Sequence, residues 1–287
     1  NMDKIVAFCR KYNLILIEDC AHSLGTSYKG RPIGSFGDAA FFSFGRDKVV
    51  SSVWGGAAII NSKFKLETLK LKQIQNSLHL PNMFWIFQQL LHPIAFSIIL
   101  ASYNWAPLSR CIGSRRETET ITLGKVLLYL LQKLNLLSKP VYPEELISGK
   151  PNIFPAKFPH ALAVLLMHQL QKLERMNKNR QHIAEMYRNK LKNNKSIALI
   201  SDVDGALYLR FPICIDKPLE YIRKAKTKGI LLGNWYHHIV DPVGVDYATI
   251  GYKTGSCPKA EQLSKAVLNL PTRITTQEAD KVLSIFS

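Results

Sequence analysis

The run Ser43-Phe44-Gly45-Arg46-Asp47-Lys48 ends on an amine that could do covalent chemistry if the fold draws it out of water. An amine must be neutral to attack a carbonyl. Desolvation lowers a lysine's pKa readily, whereas an arginine in the same place stays charged. Upstream, Asp19 closes the run Leu14-Ile15-Leu16-Ile17-Glu18-Asp19, and His22 follows three residues later. Read alone, each residue has a plain alternative: a solvated lysine, a loop or N-cap carboxylate, a core histidine, a strand-end serine at Ser43.

The elements around these residues favour a shared location. Leu14 to Ile17 is a continuous branched apolar run, which predicts a parallel strand buried on both faces. Further apolar runs span Ala39 to Phe44 and, after Gly55-Gly56, Ala57 to Ile60. Short strands separated by glycine-rich loops and helical patterns predict an α/β sheet, and such sheets bind ligands outside the carboxyl ends of their strands. Asp19 and the segment from Ser43 to Lys48 both fall there. Downstream, His160 to Tyr187 reads as one long amphipathic helix. Ala206 to Ile213 and Gly229 to Gly233 read as strands, and Leu219–Lys228, Pro258–Leu268 and Thr276–Phe286 as helices. Together they predict a small C-terminal α/β domain.

Ile17-Glu18-Asp19-Cys20-Ala21-His22-Ser23-Leu24-Gly25, Gly34-Ser35-Phe36-Gly37-Asp38 and the Ser43–Lys48 run, in that order, resemble the DegT/StrS family of pyridoxal-phosphate-dependent sugar aminotransferases. Gly55-Gly56, Gln169-Leu170-Gln171-Lys172-Leu173, Pro258-Lys259-Ala260-Glu261 and Asn269-Leu270-Pro271 extend the resemblance. It implies a fold-type I chain: the latter part of a large cofactor-binding domain at 1–72, a hydrophobic helical insert at 73–152, and a long helix with the small domain at 153–287.

The resemblance also implies roles. Lys48 would hold pyridoxal phosphate as a Schiff base and shuttle the proton. Asp19 would keep the pyridine nitrogen protonated so that the ring acts as an electron sink. His22 would lie against the ring or its phenolic oxygen, and Ser43 would face the phosphate. Tyr236 and His238 sit where the family presents residues to substrate, and no metal is implied. A branch of the family that removes a hydroxyl carries histidine in place of the lysine, so Lys48 implies amino transfer, from glutamate to a nucleotide-linked keto sugar, in a homodimer. Surface polysaccharide or glycoconjugate assembly is the implied setting.

Several features depart from the family. Its members carry over a hundred further N-terminal residues, including a phosphate-cupping helix start, whereas Met2-Asp3-Lys4-Ile5 leads straight into a helical pattern ending near Tyr12-Asn13, and a strand follows at once. An N-terminally truncated sequence is expected. Val53-Trp54 replaces a usual Gly-Glu. Pro155 and Lys157 fall where family dimers send an Asn and an Arg to the neighbouring subunit, with Asn152 close by. A non-catalytic relative, anchored to a membrane or a partner as a scaffold, is the competing expectation.

From Gln73 to Ser109 there is no Asp, Glu, Lys or Arg. Lys63, Lys65, Lys70 and Lys72 precede this stretch, Arg110, Arg115 and Arg116 follow it, and Trp85 and Trp105 lie within it. Aromatic residues with basic flanks suit a membrane interface, but Gln88, Gln89, His92, Pro93 and Ser97 interrupt the run. The reading is a helical hairpin, lying on a membrane through 73–109 or packed against protein, with Leu123 to Leu137 as a further helix stopped by Pro140. Lys and Arg total 38 against 21 Asp and Glu, a net +17 that favours anionic partners. Nucleic acid is not expected, since no basic helix with interleaved aromatics is present. Five scattered cysteines without a CxxC pair predict neither a disulfide framework nor a thiolate metal site, and fit a cytoplasmic setting.

Overall fold

The computed structural model describes residues 1–61, 65–102, 107–109, 121–138, 141–241 and 244–286. Lys63, Trp105, Arg110, Cys111, Arg115, Arg116 and Pro140 lie outside the described residues.

Helix α1 (Met2–Lys11) is capped by Asn1, whose Oδ1 accepts from the Lys4 N–H at 3.2 Å, and it carries Asp3 in its first turn and Arg10 and Lys11 in its last. Both ends therefore complement the helix dipole. Strands β1 (Ile17–Asp19), β2 (Ser27–Tyr28), β3 (Arg31–Pro32), β4 (Ala39–Ser43) and β5 (Gly56–Ile60) follow. β2 and β3 form a small hairpin; the others form a sheet of order β1-β4-β5, with β1 parallel and β5 antiparallel to β4. The expected strand over Leu14–Ile17 begins only at Ile17. Nor is it covered on both faces: Leu14, Ile15 and Ile17 are 50%, 72% and 59% exposed. β1 is an edge strand here, so its apolar composition meets too few partners to be buried.

Helices α2 (Lys65–Ser77) and α3 (Met83–Ser102), strands β6 (Pro107–Ser109) and β7 (Ile121–Thr122), and helix α4 (Leu123–Lys133) come next. The apolar run that Gln88, Gln89, His92, Pro93 and Ser97 interrupt is, from Met83 to Ser102, one continuous helix, α3, with Pro93 inside it. The hairpin is instead α3 against α4, around Ala95, Ile99 and Leu137. Gln88 and Gln89 face inward and are satisfied there, so they cost the helix little. By length and composition α3 could cross a membrane, though a third of it is buried in the protein.

The remainder comprises α5 (His160–Leu170), α6 (Leu173–Leu191), β8 (Ile197–Leu199), β9 (Arg210–Ile215), α7 (Pro218–Thr227), α8 (Pro258–Ala266), β10 (Val267–Pro271) and α9 (Thr276–Leu283). The expected single helix over His160–Tyr187 breaks at Gln171-Lys172, inside the segment that resembled the family's central helix. Gly229–Gly233 is not a strand; only Gly233 forms a bridge, to Asn269. The helix expected to run through Leu268 stops at Ala266, because Val267–Pro271 is captured as a strand against β9. The sheet β10-β9-β8 is antiparallel. Phe211, Ile213 and Ile215 alternate inward from β9 and pack with Ile183, Tyr187 and Leu268, so α6 and α9 cover one face.

Candidate active site

The end of β4 carries the lysine loop. Phe44 continues the strand, its N–H donating to Gly55 O at 2.8 Å, and Ser52 N–H returns to Phe44 O at 3.0 Å, so residues 44–55 form a closed loop. Gly55 has φ +124°, and a Cβ there would collide with the Phe158 ring, which explains glycine at this position. Phe44 and Val50 are buried against Leu166, with Leu170 and Leu173 packed around them. The loop is thus seated on α5 and α6.

Lys48 is half-buried, and its Nζ lies 2.7 Å from Nε2 of His22. Burial lowers the lysine's pKa, opposed by the Asp19 and Asp47 carboxylates. Burial also lowers the His22 imidazole, although much of that side chain is open to solvent, and the charges of Lys48 and Arg210 add to the effect. His22, Ser43 and Lys48 line one cavity of about 620 Å³ together with Trp54, Trp235 and Tyr236. Asp19 does not line it. Its Oδ1 accepts from the Ala21 N–H at 3.0 Å, and its charge is felt by both Lys48 and His22. Tyr236 stands on the cavity wall as expected for a substrate-side residue; His238 does not, and His237, whose ring centroid lies 4.1 Å from that of His238, lines the cavity in its place.

Other residues that shape the site were not anticipated in these roles. Glu18, buried beside Asp19, accepts from the N–H groups of Gly34, Phe36 and Gly37 at 2.8, 2.6 and 2.6 Å, fixing the loop between β3 and β4. Arg210 of β9 places its guanidinium 3.4 Å from the Trp235 ring centroid and 3.4 Å from Asp47 Oδ1. Arg180 of α6, itself buried, donates to Val49 O and Asn177 Oδ1, both at 2.7 Å, and burial lowers its pKa to about 10. Lys157 donates to Asn76 O at 3.2 Å. The described cysteines, Cys9, Cys20, Cys214 and Cys257, are free thiols.

An α/β chain with a desolvated lysine at a strand end, next to an imidazole and within reach of a carboxylate's charge, defines an amine-centred site. The sequence pattern of the DegT/DnrJ/EryC1/StrS aminotransferase family matches residues 1–77 and 154–287, and the chain belongs to that family. The UDP-4-amino-4,6-dideoxy-N-acetyl-beta-L-altrosamine transaminase of Campylobacter jejuni is 41% identical over 70 residues, 24% of this chain and 19% of that protein. Protein MJ1066 of Methanocaldococcus jannaschii is 25% identical over 280 residues, 94% of this chain and 58% of that protein. Among solved structures, DesV of S. venezuelae, in complex with a ketimine intermediate, matches with TM-score 0.63 and 20% identity over 99% of this chain and 60% of that one. Helicobacter pylori PseC, an aminotransferase involved in pseudoaminic acid biosynthesis, matches with TM-score 0.61 and 16% identity over 100% of this chain and 62% of that one. These likenesses establish the α/β fold of the aminotransferases. The chain spans less than two thirds of each of these relatives.

Proposed function

We propose that this chain carries the lysine-bearing part of a pyridoxal-phosphate-dependent aminotransferase that moves an amino group from an amino acid, glutamate, to a nucleotide-linked keto sugar in surface polysaccharide or glycoconjugate assembly. One observation carries the reading: the contact between Lys48 and His22 inside a cavity of about 620 Å³, within the range of about 300–1,000 Å³ usual for small-molecule sites.

The residues present fit the cofactor. A lysine amine and a serine hydroxyl share the cavity, and the lining residues Trp54 and Asp241 carry buried polar atoms, Nε1 and Oδ2, with no partner in the protein. Such orphaned atoms await a ligand or water. Lys48 would hold the aldehyde, Ser43 would face the phosphate, and Asp19 would face the ring nitrogen. When bound, pyridoxal phosphate supplies an electron sink for removal of a proton from the substrate α-carbon. The chain supplies the rest. Desolvation keeps the Lys48 amine closer to its neutral, basic form, so it can take up and return that proton. His22, 2.7 Å away, confines Nζ to one side of the cavity, and burial disfavours the charged form of its ring. Trp235 and Tyr236, with Arg210 stacked behind, form the wall for the sugar nucleotide.

A homodimer and a division of the chain near 72 and 152 belong to this reading; the unmatched stretch 78–153 supports the second. A peripheral membrane contact through 73–109 also belongs to it. The supporting observation is the apolar stripe Met83, Phe87, Leu90, Ile94 and Ile98 exposed along α3, without a charged residue in that helix. The test is an amino-transfer assay on the full-length protein with glutamate and a panel of nucleotide-linked keto sugars. Turnover that Lys48→Ala abolishes supports the reading, and an active Lys48→Ala protein overturns it.

A further inference from the structure

The stretch the family pattern leaves unmatched is not merely appended to the body: it is joined to the lysine loop by partly buried hydrogen bonds. Arg46, two residues before Lys48, reaches with its guanidinium to Gln89 of α3 and to Ser138 beyond α4. Its Nη2 donates to Ser138 Oγ at 2.5 Å and to Gln89 Oε1 at 3.4 Å, and the Ser138 hydroxyl donates to the same Gln89 oxygen at 2.9 Å. Gln89 is fully buried, and its Nε2 is anchored on Trp85 O at 3.1 Å, so its carbonyl oxygen is fixed toward the arginine. A second contact lies alongside. Trp54, from the far end of the same loop, stacks on Phe154 with ring centroids 5.1 Å apart and packs against Trp85 and Tyr142, each at 6.1 Å. Trp85 Nε1 in turn donates to the Tyr142 hydroxyl at 3.1 Å.

Lys48 is therefore fixed through its neighbours, each by a different part of the chain: Arg46 by the hairpin, Asp47 by Arg210 of β9, and Val49 by Arg180 of α6. Of these, the Arg46 clamp is the one made by the stretch that the family pattern leaves unmatched. We propose that the 73–152 segment is a positioning element for Lys48, with Gln89 and Ser138 as the positioning residues that hold Arg46 and so set where the amine stands.

This rests on the reading of Lys48 as the functional amine, but its test does not require the cofactor. In full-length protein, the experiment compares Ser138→Val with Ser138→Thr, which has the same shape but keeps the hydroxyl. Two quantities are followed: amide hydrogen exchange over residues 45–48, and the pH midpoint for reductive methylation of Lys48 located by peptide mass. Ser138→Val is expected to speed exchange roughly tenfold, the loss of a hydrogen bond to a charged donor, and to raise the Lys48 midpoint toward about 10.4, the ordinary lysine value, as the side chain swings into water. Ser138→Thr should restore both. Gln89→Met against Gln89→Glu repeats the comparison should Ser138→Val fail to fold. Equal exchange and equal midpoints within the folded pair overturn the proposal. A protein in which the clamp behaves as stated but Lys48→Ala leaves amino transfer intact sinks the functional reading instead.

Discussion

Lys48 Nζ and His22 Nε2 stand 2.7 Å apart, and burial depresses the pKa of both groups. Two bases so close cannot both be protonated without repulsion, and the fold resolves this by disfavouring charge on each. For His22 the sign is definite. An unfolded histidine titrates near about 6.5; the folded one binds its proton only at lower pH. Between those values the unfolded chain holds more protons, so stability rises with pH across that window. His22→Gln should flatten that part of the stability profile, and the His22 ring resonances should titrate below about 6.5 in the folded protein. Titration at or above that value contradicts the assigned environment.

Glu18 carries a stability prediction. Removing its carboxylate leaves the N–H groups of Gly34, Phe36 and Gly37 without their acceptor, and an unsatisfied buried donor costs about 1–3 kcal/mol. Glu18→Ala should therefore lower unfolding free energy by about 3 kcal/mol or more in urea melts, with exchange rising first in residues 34–37. A change below about 1 kcal/mol shows that water replaces the carboxylate at little cost.

Val53 has φ 72°, a conformation costly for a β-branched residue. Substitution by glycine loses the buried side chain but relieves backbone strain of about 1–3 kcal/mol. Val53→Gly should consequently destabilise the protein much less than Val50→Gly, whose side chain is equally buried. Thermal melts of the two variants make the comparison, and equal losses refute the strain.

Much of this site can be read from the sequence alone. Lys48, His22 and Ser43 lie within short local runs, and the structure brings them to one cavity; Gly55 is required by the Phe158 ring. What escaped depends on distant partners. Arg46 meets Ser138, and Asp47 meets Arg210, across long stretches of intervening chain, and neither pairing leaves a periodic mark. Local apolar pattern also misled where packing decides. Leu14 to Ile17 reads as a buried strand but lies at a sheet edge, and Val267-Leu268 reads as the end of a helix but pairs with β9. Gln88 and Gln89 interrupt an apolar run in the sequence, yet Gln88 ties α3 to the end of α4 through Asn135 O, and Gln89 accepts from Arg46 of the lysine loop.

The exposed stripe of α3 predicts binding to anionic vesicles. Full-length protein should float with phosphatidylglycerol-containing liposomes, and Phe87→Glu with Ile94→Glu should abolish flotation, since a charge in an apolar membrane contact is strongly unfavourable. Unchanged flotation, or none in the parent protein, removes the membrane contact while leaving the site intact.

The central claim is tested most directly by borohydride reduction of the full-length protein incubated with pyridoxal phosphate, followed by peptide mass analysis. The expected result is a pyridoxyl adduct on the peptide containing Lys48 and on no other lysine, absent after Lys48→Ala and weakened after Asp19→Asn. An adduct spread over surface lysines, or an unmodified Lys48, contradicts the account.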